Sequence, residues 1–364
     1  AYSPRSSSMA CFYSAMLAWN PTAVDKRNTS PKSCPRLVIY MSLDRDLDGD
    51  PFRVDLFRCR DAAQVIASYA GVHTVEPWTH LPKIDQLVFK TLFISICHQM
   101  NWDVLQSAMA DWLLPDAGDR LGELANTSPK EISDLLRHYP KQERVRAVER
   151  SRMLRGTAEQ LSVLLKAGGR LRRLLEAPVL EGQSGFYDTI AAIPAYTGDP
   201  FDKKARVLAH DLYREGIVNF SDPENLKPAV EYHLIRLYLR SGRVVPASES
   251  VRDELLGERR PARPRLVKLL RGAVDMAMRQ TALYSGIDVA TLNYLEWQIG
   301  RSICVEELGP ELVDFHCEAP APADMPDDVR ALATCRCPFA GFCGSLNDPG
   351  YGWFREPQFQ KAIY

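Results

Sequence analysis

The sequence lacks any long hydrophobic run. None of its 364 residues begins a stretch of roughly 20 apolar residues, the length that a membrane-spanning helix needs, so we predict no membrane partner. An excess of charge of one sign is also missing, since the formal net charge is -1. Any contact with nucleic acid must therefore come from local groups of basic residues. Alternating strand patterns with hairpin turns are scarce, which argues against a mainly β fold.

Helical spacing of apolar residues is what the chain does contain. Four apolar residues between Lys203 and Arg214 fall on one helical face, at i, i+3, i+4 and i+7: Ala205, Leu208, Ala209 and Leu212. Because 46% of the residues are hydrophobic, the chain can bury one large core or two closely packed lobes. We predict an all-α fold.

The first 40 residues differ from the rest. They are rich in Ser, Pro and Asn and hold a single acidic residue, Asp25. This composition predicts a disordered leader, with a mitochondrial transit peptide as the alternative. Met41 opens a more globular sequence and is a candidate for the true start. We expect an intracellular location, in the cytoplasm and nucleoid or in the nucleus.

Basic residues are concentrated in three runs, at 141–152, 166–173 and 259–271. Runs of this kind are usually solvated helix faces, and we interpret all three runs as solvated helix faces.

Cysteines crowd the C-terminal part of the chain, which holds five of the nine: Cys304, Cys317, Cys335, Cys337 and Cys343. Disulfides are disfavoured without a secretory signal, so clustered thiols predict a metal centre. Four thiolates suffice for zinc or for an iron–sulfur cluster, and composition does not choose between them.

The segment from Cys337 to Cys343 is more specific, because a proline follows its first cysteine and five residues separate the two. In this it resembles the iron–sulfur members of the helix-hairpin-helix DNA glycosylases, the endonuclease III branch. Cys304 is similar to that family's first cluster ligand. The resemblance implies a [4Fe-4S] cluster, with zinc as the alternative, held by these four residues: Cys304, Cys335, Cys337 and Cys343. It departs from the family at Arg336, the single residue between Cys335 and Cys337, and Cys317 is the alternative to Cys335.

The segment from Leu92 to Asp103 is similar to an early helix and turn of the same family. Relatives insert a glutamine from this turn into the duplex, where it fills the space left by an extruded base. The resemblance implies this role for Gln99, although a polar residue at a helix end is also an ordinary cap. We expect nucleic-acid contacts from Gln99 and from four other residues: His98, Asn101, Lys203 and Lys204.

A third stretch, Val230-Glu231-Tyr232-His233, resembles the family's Val-Asp-x-His motif, which follows a Lys-Ala helix. The family's aspartate is catalytic, and Glu231 stands in its place. Cleavage of an N-glycosidic bond builds positive charge on the sugar, and a nearby carboxylate stabilises that charge and orients water. We expect His233 to pack or hydrogen-bond within its helix, and His98 is a second acid–base candidate.

Lys227 is the candidate for the lysine nucleophile of lyase-type relatives. Its spacing departs from the family's, so the resemblance implies a hydrolase without lyase activity. The family's glycine-rich hairpin is absent between Gly216 and Pro228, which suggests an altered substrate.

Together these features predict a two-lobed, monomeric enzyme that resembles a DNA glycosylase and releases a modified base flipped from DNA. Two alternatives stay open. One is the same fold acting on a modified nucleotide, in deazaguanine salvage or thymine hypermodification, and the other is a non-catalytic nucleic-acid-binding protein. We divide the chain into a leader (1–40), an N-terminal helical region with a long insertion (41–202), a catalytic helical region (203–300) and a cysteine-rich loop with its tail (301–364).

Overall fold

The structure, a computed structural model, describes residues 38–40, 50–69, 81–114, 117–166, 169–199, 201–256, 262–304, 337–351 and 354. Within these residues the chain is mostly helical and carries one small sheet. The predicted helical character is confirmed at this level.

A middle lobe is formed by the helices between residues 83 and 214. They are α2 (Lys83–Ile96), α3 (Trp102–Leu113), α4 (Leu121–Leu124), α5 (Pro129–Leu135), α6 (Ala147–Lys166), α7 (Arg170–Glu176), α8 (Phe186–Ile190) and α9 (Lys203–Arg214). The longest, α6, packs against α2, α4 and α5, and α2 also packs against α9. Helix α2 is buried almost all round, from Gln86 to Ile96, which fits its largely apolar sequence.

A terminal lobe combines both ends of the described chain. Its helices are α1 (Leu56–Ala67), α10 (Tyr232–Ser241), α11 (Glu249–Leu256), α12 (Pro264–Ser285), α13 (Val289–Ser302) and α14 (Gly344–Asn347). Its antiparallel sheet has the order β1 (Val38–Tyr40), β2 (Phe52–Asp55) and β3 (Val244–Pro246). Val54 of β2 is in register with Ile39 on one side and with Val244 on the other.

The two lobes have separate hydrophobic cores. One core takes its members from residues 87–226 together with Ala290, and the other from residues 52–66 and 230–354. The boundary between them lies near residue 228, so α9 packs in the middle lobe although the sequence division placed it with the residues after it. The reason is its amphipathic face, which buries Leu208 and Leu212 against that lobe. Strand β1 lies within the segment predicted as a leader, and residues 1–37 are outside the described part.

Ion pairs join the two lobes. Each has one partner in the middle lobe and one on α12 or α13: Asp199 with Arg271 (2.7 Å), Arg206 with Asp275 (2.7 Å) and Asp103 with Arg301 (2.8 Å). The aromatic rings of Trp102 and Trp297 also meet across the junction, with centroids 6.3 Å apart. These contacts hold the walls of a cleft between the lobes.

Candidate active site

A cavity of about 1360 Å³ lies between the lobes. Its walls come from the loop after α2, the first turn of α9, the N-terminus of α10 and one face of α13. It brings together most of the residues that the sequence predicted for catalysis or nucleic-acid contact: His98, Gln99, Asn101, Lys203, Lys204, Glu231 and His233. Residues more than 130 positions apart in the chain thus share one cleft.

Glu231 is the N-cap residue of α10 and faces this cavity. Its Oε1 atom accepts a hydrogen bond from the backbone N–H of Leu234 at 3.2 Å, and the residue is only 8% exposed. Among the described residues, no cationic side chain lies within ion-pair distance of the carboxylate. Glu231 is therefore held by the helix end and the cap, while the rest of the carboxylate remains available to a ligand.

Burial raises the pKa of Glu231 above its ordinary value, although the positive charges of Lys203 and Arg236 and hydrogen bonds from backbone N–H groups oppose this rise. Lys203 stands at the first position of α9, lines the same cavity and has its ammonium 6.0 Å from the centroid of the Tyr232 ring. A carboxylate and an ammonium thus face the cleft from opposite lobes.

His233 lies in the first turn of α10 and also lines the cavity. Its Nδ1 atom is 2.9 Å from Nη2 of Arg236, and because a guanidinium only donates, Nδ1 is the acceptor and the ring proton sits on Nε2. The expected hydrogen bonding of His233 within its own helix is therefore present. Gly300 of α13 lies directly against it, since a Cβ atom at Gly300 would be 2.9 Å from the His233 carbonyl oxygen.

Gln99 stands in the short loop between α2 and α3, with a positive φ of 54°. This backbone conformation is rarely adopted by a residue with a side chain, so the surrounding structure must impose it. Arg150 supplies that support from α6: it is fully buried, and it donates to the carbonyl oxygens of Ile96 and His98, the latter at 2.7 Å. Gln99 is thereby placed at the cleft on a supported loop.

His98 is buried beside Gln99. Its Nδ1 atom accepts from Nη1 of Arg150 at 3.2 Å, and its Nε2 atom lies 3.4 Å from Oε1 of Glu149 without hydrogen-bond geometry. Burial and then the charge of Arg150 lower the pKa of His98 to about 2, so the ring is neutral at physiological pH. It cannot act there as a charged acid.

Asn101 caps α3, and its Oδ1 atom accepts from the N–H groups of Asp103 (2.9 Å) and Val104 (3.2 Å). Its own N–H donates to the hydroxyl of Tyr139 at 3.0 Å. Asn101 lines the cleft, but these bonds already account for its position.

Lys204 follows Lys203 in the first turn of α9 and points towards the end of α2, where it donates to the carbonyl oxygen of Ser95. Burial lowers the pKa of Lys204 to about 8, with the charge of Lys203 adding to the effect. Lys203 is thus the lysine of this pair whose ammonium is left to the cavity.

Lys227 is not among the residues that line the cleft. Its ammonium pairs with Glu181 and lies 4.4 Å from the centroid of the Tyr187 ring. The structure does not bring the candidate nucleophile to Glu231.

Three of the predicted metal ligands are described: Cys304, Cys337 and Cys343. All three are buried and none is in a disulfide. Two of them lie beside Arg240, whose Nη1 atom is 3.7 Å from Sγ of Cys304 and whose carbonyl oxygen is 3.6 Å from Sγ of Cys343. Within the described part of the chain, no three His, Cys, Asp or Glu side chains converge as a metal-binding group. Cys335 and Cys317 lie outside the described residues, so the four-ligand prediction remains a prediction.

Two further cleft residues have roles that depend on burial. Asp199 follows Gly198 in a turn, where an aspartate is common, yet it is buried and accepts two hydrogen bonds from Arg271, at 2.7 and 2.8 Å. Gln298 of α13 is 2% exposed, lines the cavity and has an Oε1 atom that no donor among the described residues reaches. A glutamine within a helix carries no pattern that separates this position from a surface position.

No helix of the described residues is long and apolar enough to cross a membrane. In comparisons with known proteins, no family model matches the sequence, and no curated protein matches it either. The resemblance to the helix-hairpin-helix glycosylases therefore remains a prediction from the sequence motifs.

Proposed function

We propose that this protein cleaves the N-glycosidic bond of a nucleotide unit bound in the cleft between its lobes, with Glu231 as the catalytic carboxylate. One observation carries the proposal: a buried carboxylate at the N-terminus of α10 faces a cavity of about 1360 Å³, and no described cation is paired with it. Burial of a carboxylate without a paired cation costs free energy, and active sites are where such costs recur.

The chemistry follows from the charge that develops on the sugar. As the bond between C1′ and the base nitrogen breaks, its electron pair leaves with the base and the sugar becomes cationic. The ionised Glu231 stabilises that cation and takes a proton from the water that adds to C1′. The departing base takes up a proton in turn, so base and sugar leave as separate products.

The first substrate that we propose is a modified base flipped out of DNA. Gln99 supports it, because the loop held by Arg150 presents that side chain at the cleft, where it can fill the space left by the base. Gln298 supports it too, since its unpaired Oε1 atom can accept a hydrogen bond from a base edge. The reaction is hydrolysis, because Lys227 lies elsewhere.

A free modified nucleotide is the second candidate substrate, and one observation favours it. Backbone N–H groups between Gly216 and Pro228 are used within the protein, for example those of Val218 and Ser221, which donate to Leu212 and Pro178. A duplex would find no open set of N–H donors for its phosphates in this segment.

We also propose that the scaffold is that of a helix-hairpin-helix glycosylase acting as a monomer, and that Cys304, Cys337 and Cys343 bind a [4Fe-4S] cluster together with Cys335. The described thiols suit this role because all three are buried, and two of them, Cys304 and Cys343, lie beside Arg240. Such a cluster supplies folding free energy to the C-terminal segment. The iron and sulfide content of the purified protein tests for this cluster, and zinc in place of iron would be the competing result.

The experiment that tests the function is base release by Glu231→Gln. Duplex DNA with single modified bases and a panel of modified nucleoside 5′-monophosphates serve as substrates, and mass spectrometry detects free base. Glu224→Gln is the matched control, because Glu224 is exposed and outside the cleft. We expect the Glu231 variant to lose about 100-fold or more of the single-turnover rate, and the control to keep it. Equal release by all three proteins would exclude Glu231 as the catalytic carboxylate. No release above the protein-free background by any of them would leave a non-catalytic binding protein as the better account.

A further inference from the structure

The basic run 141–152 is not a uniform solvated face. Arg150 is fully buried and holds the Gln99 loop, and Arg146 lies 3.7 Å from Glu149. The other three members are exposed and line the cavity: Lys141, Arg144 and Arg152. No described carboxylate lies within ion-pair distance of these three, which we call the basic trio.

The carboxylates of the cavity do not neutralise the trio, because most already face other cations. Asp211 and Glu215 pair with Lys90. Asp103 pairs with Arg301, and Asp199 with Arg271, at 2.8 and 2.7 Å. Glu149 is the acid of the cavity that lies closest in sequence to the trio, and it faces Arg146. The cavity therefore has surplus positive charge on the α6 side.

The helix N-termini at the cavity are not open to an anion. Asp199 accepts from the N–H groups of Phe201 (3.1 Å) and Lys203 (3.0 Å), so an internal carboxylate occupies the start of α9. Glu231 in the same way accepts from Leu234 at the start of α10. These two helix N-termini therefore leave the binding of an anionic ligand to side-chain cations, and the trio is the group of them that carries no described carboxylate partner.

We propose that Lys141, Arg144 and Arg152 form the phosphate-binding subsite of the cleft. The proposal rests on the proposed function, since the phosphate belongs to the nucleotide whose glycosidic bond faces Glu231. The trio stands on the middle lobe and Glu231 on the terminal lobe, so the bound phosphate is kept apart from a carboxylate that would repel it. The phosphate is either the monoester of a free nucleotide or a phosphodiester of a DNA strand.

Calorimetric binding tests this subsite without requiring catalysis. The probes are thymidine, thymidine 5′-monophosphate, and a single-stranded 11-mer with one tetrahydrofuran abasic residue. The test variant is Lys141→Gln/Arg144→Gln/Arg152→Gln. The matched control, Arg155→Gln/Lys166→Gln/Arg172→Gln, removes the same charge from exposed positions outside the cleft.

We expect the test variant to bind phosphate-bearing probes about 30-fold more weakly than the wild type, while the control variant binds them normally. Thymidine, which has no phosphate, should bind the wild type, the test variant and the control variant with the same affinity. A loss confined to the monophosphate identifies a free nucleotide. A loss with the 11-mer, and a salt slope reduced by about 2, identifies contacts to a DNA strand, because each single-strand phosphate contact contributes roughly 0.7 to that slope.

Two results would overturn the subsite. Either the test variant keeps the wild-type affinity for both phosphate probes, or the wild type binds neither probe. The same titrations with Glu231→Gln separate this outcome from failure of the proposed function. If Glu231→Gln still binds the phosphate probes and base release does not depend on Glu231, then only the catalytic role of Glu231 is contradicted and the phosphate subsite stands.

Discussion

At the scale of single residues, the environment of Glu231 determines the pH range in which it can act. Burial raises its pKa, and the charge of Lys203 works against that rise. Because the ionised carboxylate stabilises the sugar cation, activity should fall as the pH drops through this raised pKa. The acidic limb of the rate profile should therefore lie above the range of an ordinary glutamate, about 4.3.

Lys203→Met sharpens this prediction. Loss of the ammonium removes a charge that favours the ionised carboxylate, so the acidic limb should move to still higher pH. Lys203→Arg keeps the charge and should keep the limb near its wild-type position. Single-turnover rates between pH 4 and 8 measure the shift, with Lys130→Met, an exposed position on α5, as the control. An unmoved limb in Lys203→Met would show that the two groups are not coupled.

The residues also show how far sequence reasoning reaches. Glu231 and Gln99 were predicted because each stands in a motif, and the structure brings both to one cleft. Gln298 was not predicted as a site residue, and the pairing of Asp199 with Arg271 was not predicted either, because both depend on burial and on contacts distant in the chain. Lys141 was noticed but interpreted as a solvated charge, since composition does not reveal which way a helix face points.

At the scale of helices, the position of Glu231 depends on how closely α13 packs against the start of α10. Gly300 permits that approach: a Cβ atom there would lie 2.9 Å from the carbonyl oxygen of His233 and 3.0 Å from its Cβ atom. Gly300→Ala should force the helices apart, cost about 1–3 kcal/mol of stability and displace the carboxylate. Urea unfolding and base release should both report the loss.

Gly156→Ala is the control for the loss of stability. Gly156 lies within α6, and a Cβ atom there meets nothing within 4 Å, so alanine should stabilise the helix by up to about 1 kcal/mol. If Gly300→Ala were equally harmless, the close contact between α10 and α13 would not be what positions Glu231.

Helix periodicity predicted where helices form better than it predicted which helices pack against each other. The apolar face from Ala205 to Leu212 matches α9 as observed, because that pattern is local to the chain. The pairing of α1 with α12 joins residues about 200 positions apart, and the sequence carried no signal for it. A two-lobed molecule was predicted, but which helices belong to which core was not, for the same reason.

At the scale of the whole molecule, the cleft exists because polar contacts hold two separately packed lobes together. The buried pair of Asp199 and Arg271 is central to this junction, and its two hydrogen bonds are bidentate. Burial by itself raises the pKa of Asp199, but the hydrogen bonds and charge of Arg271 outweigh it and leave that pKa below its ordinary value. The junction is therefore sensitive to acid.

Asp199→Asn should test this arrangement through the pH dependence of stability. An aspartate whose pKa is lowered on folding contributes stability above its unfolded pKa, about 3.9, and that contribution is lost as the pH falls through the folded value. At pH 7 the variant leaves Arg271 buried without its anion, so urea unfolding should show a loss of about 3–5 kcal/mol. The difference from the wild type should stay constant down to about pH 5 and narrow below pH 4.

Asp188→Asn supplies the comparison, because Asp188 pairs with Arg170 at 3.4 Å where both side chains are largely solvated. Its loss should cost less than about 1 kcal/mol at any pH. Loss of the Asp199 pair should also let the lobes separate, so the variant should expand in small-angle scattering before it unfolds. If Asp199→Asn were as stable and as compact as Asp188→Asn, then apolar contacts such as that of Trp102 with Trp297 would be what holds the cleft together.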